Sequence, residues 1–151
     1  MNYTMNVKIC LILILFLTPI FTQANVNRFE VSNKGVLLNV YIDISTYELC
    51  INNQGVVKEV NVITTGDINY LYKSFDERID RVNGMQIKVD SFNHQVYEID
   101  DISLEYDLKT PDKISKIGCL EFEYQYQNGI PWRLSKVGDY DIQYEFSEDA
   151  M

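Results

Sequence analysis

Few residues in this chain could act as a base, a nucleophile or a metal ligand. His94 is the only histidine among 151 residues. It lies in Ser91-Phe92-Asn93-His94-Gln95, a run of turn formers that predicts an exposed loop. Of three cysteines, Cys10 belongs to an apolar N-terminal run, which leaves Cys50 and Cys119. In an exported protein an even pair reads as a disulfide, and pairing would also remove the thiolates that zinc requires. Carboxylates are plentiful: Asp100-Asp101, Glu121 with Glu123, and Asp139 with Asp141. General acid/base work needs two carboxylates in unlike environments converging on a cleft. Residues alternating along one wet strand face are close without being buried, so these read as a solvated surface. Asp139, Asp141, Asp67 and Asn69 do not form the loop of alternating oxygen ligands that calcium takes. The chain is therefore read as non-catalytic, with no cofactor and no metal.

Contact chemistry is better represented. Trp132 follows Gly129-Ile130-Pro131 in an expected loop and is followed by Arg133, and these two residue types favour interfaces. With the outward acids Glu121, Glu123, Asp141 and Glu145 they form the candidate protein-binding set. The whole chain carries 22 acidic against 13 basic residues, a net charge of −9. That balance excludes nucleic acid, whose phosphates need clustered Lys and Arg, and anionic membrane surfaces. It suits a basic protein partner, because complementary charge speeds encounter.

The first residues set the compartment. Lys8 precedes the apolar run Ile9 to Leu17, Pro19 breaks it, and Thr22-Gln23-Ala24 offers small residues for cleavage. That is the layout of a secretory signal, and the run is shorter than the roughly 20 residues a membrane-spanning helix needs. Residues 1–24 are therefore expected to be a signal peptide and residues 25–151 one β-rich domain, with no stable membrane insertion once cleaved. The signal implies a periplasmic or secreted location, and the lack of any Asn-x-Ser/Thr acceptor after Ala24 favours a bacterial periplasm over a eukaryotic secretory route. The signal holds one basic and no acidic residue, so the remaining chain is more negative still.

Two-residue alternation must position these side chains. Val36, Leu38, Val40, Ile42 and Ile44 form one face, as do Tyr47, Leu49 and Ile51. The same holds for Ile102, Leu104, Tyr106 and Leu108, for Leu120, Phe122, Tyr124 and Tyr126, and for Tyr140, Ile142, Tyr144 and Phe146. Each predicts a strand with one wet face, as in antiparallel sheets. Asn52-Asn53-Gln54-Gly55 reads as a hairpin, and Asn128-Gly129 and Gly138-Asp139 as turns. In this phase Cys50 shares a polar face with Glu48, and Cys119 one with Glu121. From Asp67 to Asn83 the spacing of Leu71, Phe75, Ile79 and Val82 predicts one helix, stopped by Gly84. No repeat or linker is evident. The expected fold is a mainly β, single-domain antiparallel sandwich or rolled sheet of about eight strands with one α-helix.

Two stretches carry resemblances. Ser115-Lys116-Ile117-Gly118-Cys119, with the stretch from Val40 to Gly66, resembles the Ser-x-Gly-Cys signature and opening strands of L,D-transpeptidases, which would imply a nucleophilic Cys119. The family's Arg after the cysteine is replaced by Leu120, Glu121 and Phe122, and His94 is followed by Gln95 where the family has His-Gly. Gly138-Asp139-Tyr140 resembles the Gly-x-Tyr strand opening of immunoglobulin-like sandwiches over a few residues only. The reading that accommodates most features is an exported, acidic, non-catalytic binding protein, in its most specific form an inhibitor or immunity protein capping a basic toxin or hydrolase. The alternatives are an envelope or surface assembly subunit and a degenerate L,D-transpeptidase-like enzyme. The sequence is silent on homo-oligomerisation.

Overall fold

Apolar and polar residues alternate along the chain, broken repeatedly by residues that turn left-handed, and this pattern makes antiparallel strands. The computed structural model describes residues 23–63, 66–67, 70–72, 79–82 and 84–144. Four strands form the first sheet in chain order: β1 (Ala24–Val31), β2 (Leu37–Ile44), β3 (Tyr47–Asn52) and β4 (Val57–Val62). The second sheet begins with β5 (Tyr70–Tyr72), β6 (Ile79–Val82), β7 (Met85–Val89), β8 (Val96–Ile99) and β9 (Ile102–Tyr106). It continues through β10 (Ile114–Ile117), β11 (Leu120–Gln127), β12 (Ile130–Val137) and β13 (Tyr140–Asp141). Within each sheet every strand pairs with its neighbour in sequence, and the sheets do not close into a barrel.

The mainly β, antiparallel architecture agrees with the alternation. Two details differ. The described residues hold thirteen strands rather than about eight, because many hairpin arms are only three to five residues long. The helix expected over Asp67–Asn83 is absent from the described part, where β5 and β6 pair antiparallel. Gly84, read as a helix stop, has φ 85° and instead directly precedes β7, which pairs with β6.

One apolar core lies between the sheets. Val40, Ile42 and Ile44 of β2 and Tyr47, Leu49 and Ile51 of β3 are fully buried against Ile99, Ile114, Ile117, Leu134 and Val137. Each such side chain contributes about 1.5–3 kcal/mol. The Tyr47 hydroxyl donates to the carbonyls of Met85 (3.2 Å) and Val82 (3.4 Å), so burial leaves it partnered.

The β3–β4 hairpin clamps the sheets together. Leu134 N donates to Asn53 O and Ile114 N to Gly55 O, both at 2.8 Å, and Lys113 Nζ reaches Gln54 O at 2.7 Å. Gly55 has φ 82°, and a Cβ there would fall inside the Tyr124 side chain. The Tyr124 ring can therefore lie on the glycine while its hydroxyl donates to Ile114 O. This clamp leaves the outer strands β1 and β13 side by side, where the Phe29 and Tyr140 rings meet edge-on at 5.5 Å.

Candidate functional site

Among the described residues β1 and β13 end their sheets, and each has one hydrogen-bonded neighbour strand. Beside them lie three cavities that share lining residues, two of them bordered by both strands and the third by neither. The middle one, of 450 Å³, is lined by Phe29, Val31, Leu37, Tyr140, Ile142 and the acids Asp139 and Asp141. It shares Asp139 and Tyr140 with a 290 Å³ cavity that includes Ala24, Val26, Cys119 and Leu120. It shares Gly35, Gln143 and Tyr144 with a 610 Å³ cavity that includes Lys34, Asn53, Gln54, Trp132 and Arg133. Of β1, Ala24, Asn25 and Val26 line the cavity at one end, and Phe29 and Val31 line the middle one. The cavity walls expose apolar surface: Val31 is 58% exposed, Tyr140 53%, Val36 49% and Trp132 40%. Clustered exposure of this kind marks contact surfaces.

The structure brings most of the expected contact residues onto the outward face of β11–β13. Trp132 lies within β12 rather than in a loop. Arg133 stands opposite Gln125 and donates to its Oε1 at 2.7 Å. Its guanidinium carbon lies 3.6 Å from the Tyr144 ring centroid and 4.6 Å from that of Trp132, within cation–π range of both. The Tyr144 hydroxyl donates to Leu134 O, which fixes the stack from the other side. The acids are differently placed. Lys116 stands opposite Glu121, and Lys136 stands opposite both Glu123 and Asp141, with Lys136 Nζ 3.5 Å from Glu123 Oε1. The expected acidic patch is therefore an alternating-charge ladder, and exposed pairs of this kind contribute little. Asp139 and Asp141 nevertheless line the middle cavity. Glu145 lies outside the described residues.

The expected disulfide is not formed. Cys50 is buried on β3 of the first sheet, and Cys119 is exposed in the turn between β10 and β11 of the second; both are free thiols. Cys50 takes the expected outward phase on β3, but Cys119 lies in a turn and the two residues belong to different sheets.

Around Cys50 the outer face of the first sheet carries a polar network that strand patterning does not reveal. Glu48 is 6% exposed and accepts from Arg28 Nη1 at 2.6 Å, Arg28 Nη2 at 3.2 Å and Asn27 Nδ2 at 3.1 Å. Arg28 also stacks on the Tyr41 ring at 3.7 Å. The Tyr41 hydroxyl donates to Glu30 Oε2, a bond that, with its contact to Cys50, pushes the phenol up to about 12. Burial likewise pushes the Cys50 thiol up, and the nearby carboxylates Glu59, Glu30 and Glu48 add to it. A thiol held protonated is a poor nucleophile and a poor ligand, so this network reads as architecture.

Cys119 and His94 line different cavities, His94 lying exposed beside Val56 and Lys58 at φ 63°. Among the described residues that line the Cys119 cavity there is no histidine. Among the described residues no group of three or more His, Cys, Asp or Glu side chains could hold a metal ion, and no helix is long and apolar enough to cross a membrane. The expected signal segment falls mostly on residues 1–22, outside the described part. Comparison with protein-family models, curated proteins and solved structures returns no significant match.

Proposed function

We propose that this chain is a non-catalytic binding protein that takes up an extended, basic segment of a partner protein along the groove between β1 and β13. The observation that carries this reading is the pair of end strands flanking two adjoining cavities with exposed apolar walls and two carboxylates. An open strand edge offers main-chain hydrogen bonds to an added strand, while pockets beside it take alternate side chains. Asp139 and Asp141, in a chain of net charge −9, favour basic residues on that segment.

In its most specific form the protein is exported to the periplasm or beyond and caps a basic toxin or hydrolase as an inhibitor or immunity protein. The same open edges favour a second reading, an envelope assembly subunit that accepts a strand from another copy. Affinity capture from the cell envelope separates the two when the wild type is run beside Val31→Arg. Val31 is exposed in the groove, so the variant alters the groove without touching the core. The inhibitor reading expects one basic hydrolase that is inactive while bound, released as salt rises and lost from the variant. Recovery of the chain's own copies would move the assignment to the assembly subunit. Capture that Val31→Arg leaves unchanged would remove the groove from the interface.

A further inference from the structure

The turns of the second sheet differ in chemistry from one end to the other. Every strand from β7 to β13 pairs antiparallel with the next, so successive turns fall at alternate ends of the sheet. One end carries Asp100-Asp101, Gly118-Cys119 and Gly138-Asp139, short turns without a large apolar side chain. The other end carries residues 90–95, 107–113 and 128–129, and there apolar side chains stand out into solvent. Phe92 is 93% exposed and Leu108 97%, each on its loop, and Tyr126 and Ile130 are exposed beside the third turn. Alternate turns lie two strands apart, so the three sites recur about every 10 Å along one rim. Their backbones are braced. Asp90 Oδ1 accepts from Phe92 N at 2.8 Å and Asn93 N at 3.1 Å, and Asp107 Oδ1 from Lys109 N at 2.9 Å and Thr110 N at 2.8 Å. Gln95 Nε2 donates to Pro111 O at 2.6 Å and ties one loop to the other.

We propose that this rim rests on a lipid surface of zwitterionic headgroups, with Phe92 and Leu108 entering the acyl boundary and Tyr126 at headgroup level. Side chains this exposed have no apolar wall beside them for a rigid protein surface to complement. A fluid interface closes around single protruding side chains and removes their apolar area from water. Tyrosine, apolar in its ring and polar at its tip, favours the headgroup layer. A net charge of −9 is repelled by anionic lipid, which leaves apolar burial as the driving force and a neutral surface as the partner. Lys109 and Asp112, the exposed charges of the Leu108 loop, are of opposite sign, and the long lysine stem lets its ammonium stay among headgroups. Braced tips also lose little conformational freedom on entry. The proposal uses a different part of the molecule from the β1 and β13 edges and stands without the reading above.

The test adds one tryptophan to the full chain, as Leu108→Trp on the rim or as Asp101→Trp at the opposite end, and mixes each with phosphatidylcholine vesicles brominated in their acyl chains. Trp132, the chain's only tryptophan, is common to both variants, so the difference from the parent reads the added ring. The expected result is bromine quenching of the added ring in Leu108→Trp and none in Asp101→Trp. Vesicle affinity should fall about tenfold or more when Phe92→Asp and Leu108→Asp are combined, two exposed positions outside the core. Ala24 begins β1 in a cavity shared with Cys119 and Gly138, so attachment through the apolar residues before it would bring the Asp101 end to the lipid. Quenching of Asp101→Trp would therefore overturn the proposal. Binding that requires added phosphatidylglycerol would overturn the neutral surface. If vesicles leave the chain unbound, the lipid assignment falls, and loss of envelope-protein capture in the double variant would then make the rim a protein interface instead.

Discussion

Cys50 and Cys119 show how position within a sheet decides what a thiol can do. Both fall on outward strand phases, and from pattern alone both look equally available. Yet Cys50 lies under Tyr41 on the first sheet, flanked by the Arg28–Glu48 pair, whereas Cys119 stands in an open turn. Alkylation of the native protein with iodoacetamide, mapped by mass spectrometry, should modify Cys119 within minutes and leave Cys50 unmodified until denaturant is added. Raising the pH to 9 should not expose Cys50, because burial holds its thiol above the ordinary range. Protection of both residues until reduction would restore the disulfide. Modification of both in the native state would show that the outer face of the first sheet is open. The arrangement of Glu48 was equally invisible in the sequence. A carboxylate on a polar strand face is ordinarily wet, and only the neighbouring β1 side chains cover this one.

At the scale of elements, alternation was informative along β3 and β9, but on β2 the buried residue is Leu37 and not Leu38, and the irregular pattern of β1 gave no sign of a strand. The inward sets Tyr47, Leu49, Ile51 and Ile102, Leu104 are buried as expected. It misled where strands are shorter: β5 and β6 hold too few residues for a period of two to outweigh helical spacing. Leu108, past the end of β9, and Tyr126, within β11, continue an inward phase and yet face solvent. The structure shows a repeat that the sequence conceals. A buried aliphatic residue is followed by a two-residue turn and a new strand at Ile44-Ser45, Ile99-Asp100, Ile117-Gly118 and Val137-Gly138. The first turn residue has φ 56°, 54°, 56° and 56° respectively. Four different contexts thus use one backbone geometry, filled by glycine in two and by Ser45 and Asp100 in the others. Left-handed backbone costs a side-chain-bearing residue roughly 1 kcal/mol relative to glycine. Asp100→Gly should therefore raise unfolding free energy by about 0.5–1 kcal/mol in urea melts, after the entropy that glycine adds to the unfolded chain. A loss of stability would mean that the Asp100 side chain makes a contribution larger than the strain it bears. The groove belongs to neither category: its walls come from opposite ends of the chain, so no local pattern encodes it.

The molecule as a whole combines a large negative charge with a few carboxylates that work hard locally, and these respond to acid in opposite ways. General protonation toward the isoelectric point near 4.5 relieves self-repulsion and should slightly favour the fold. Three carboxylates act against this. Asp107 accepts from the Thr110 hydroxyl, Thr110 N and Lys109 N, bonds that hold it below the ordinary carboxylate range. Asp90 is lowered by the backbone N–H groups of Asn93 and Phe92, and Glu30 by the Asn39 amide and the Tyr41 hydroxyl. A carboxylate with a depressed folded-state pKa lends stability that is complete above its ordinary value, about 4, and is lost as pH falls through the depressed one. Stability should accordingly hold from pH 7 to about 5 and then decline below about pH 4. Asp107→Asn separates this local cause from general acid unfolding. The variant should be weaker at pH 7, decline less steeply in acid, and converge with the parent at low pH. Urea midpoints measured from pH 7 to 2.5 decide it: parallel curves would mean that the turn at Asp107 keeps its hydrogen bonds whether or not the carboxyl is ionised.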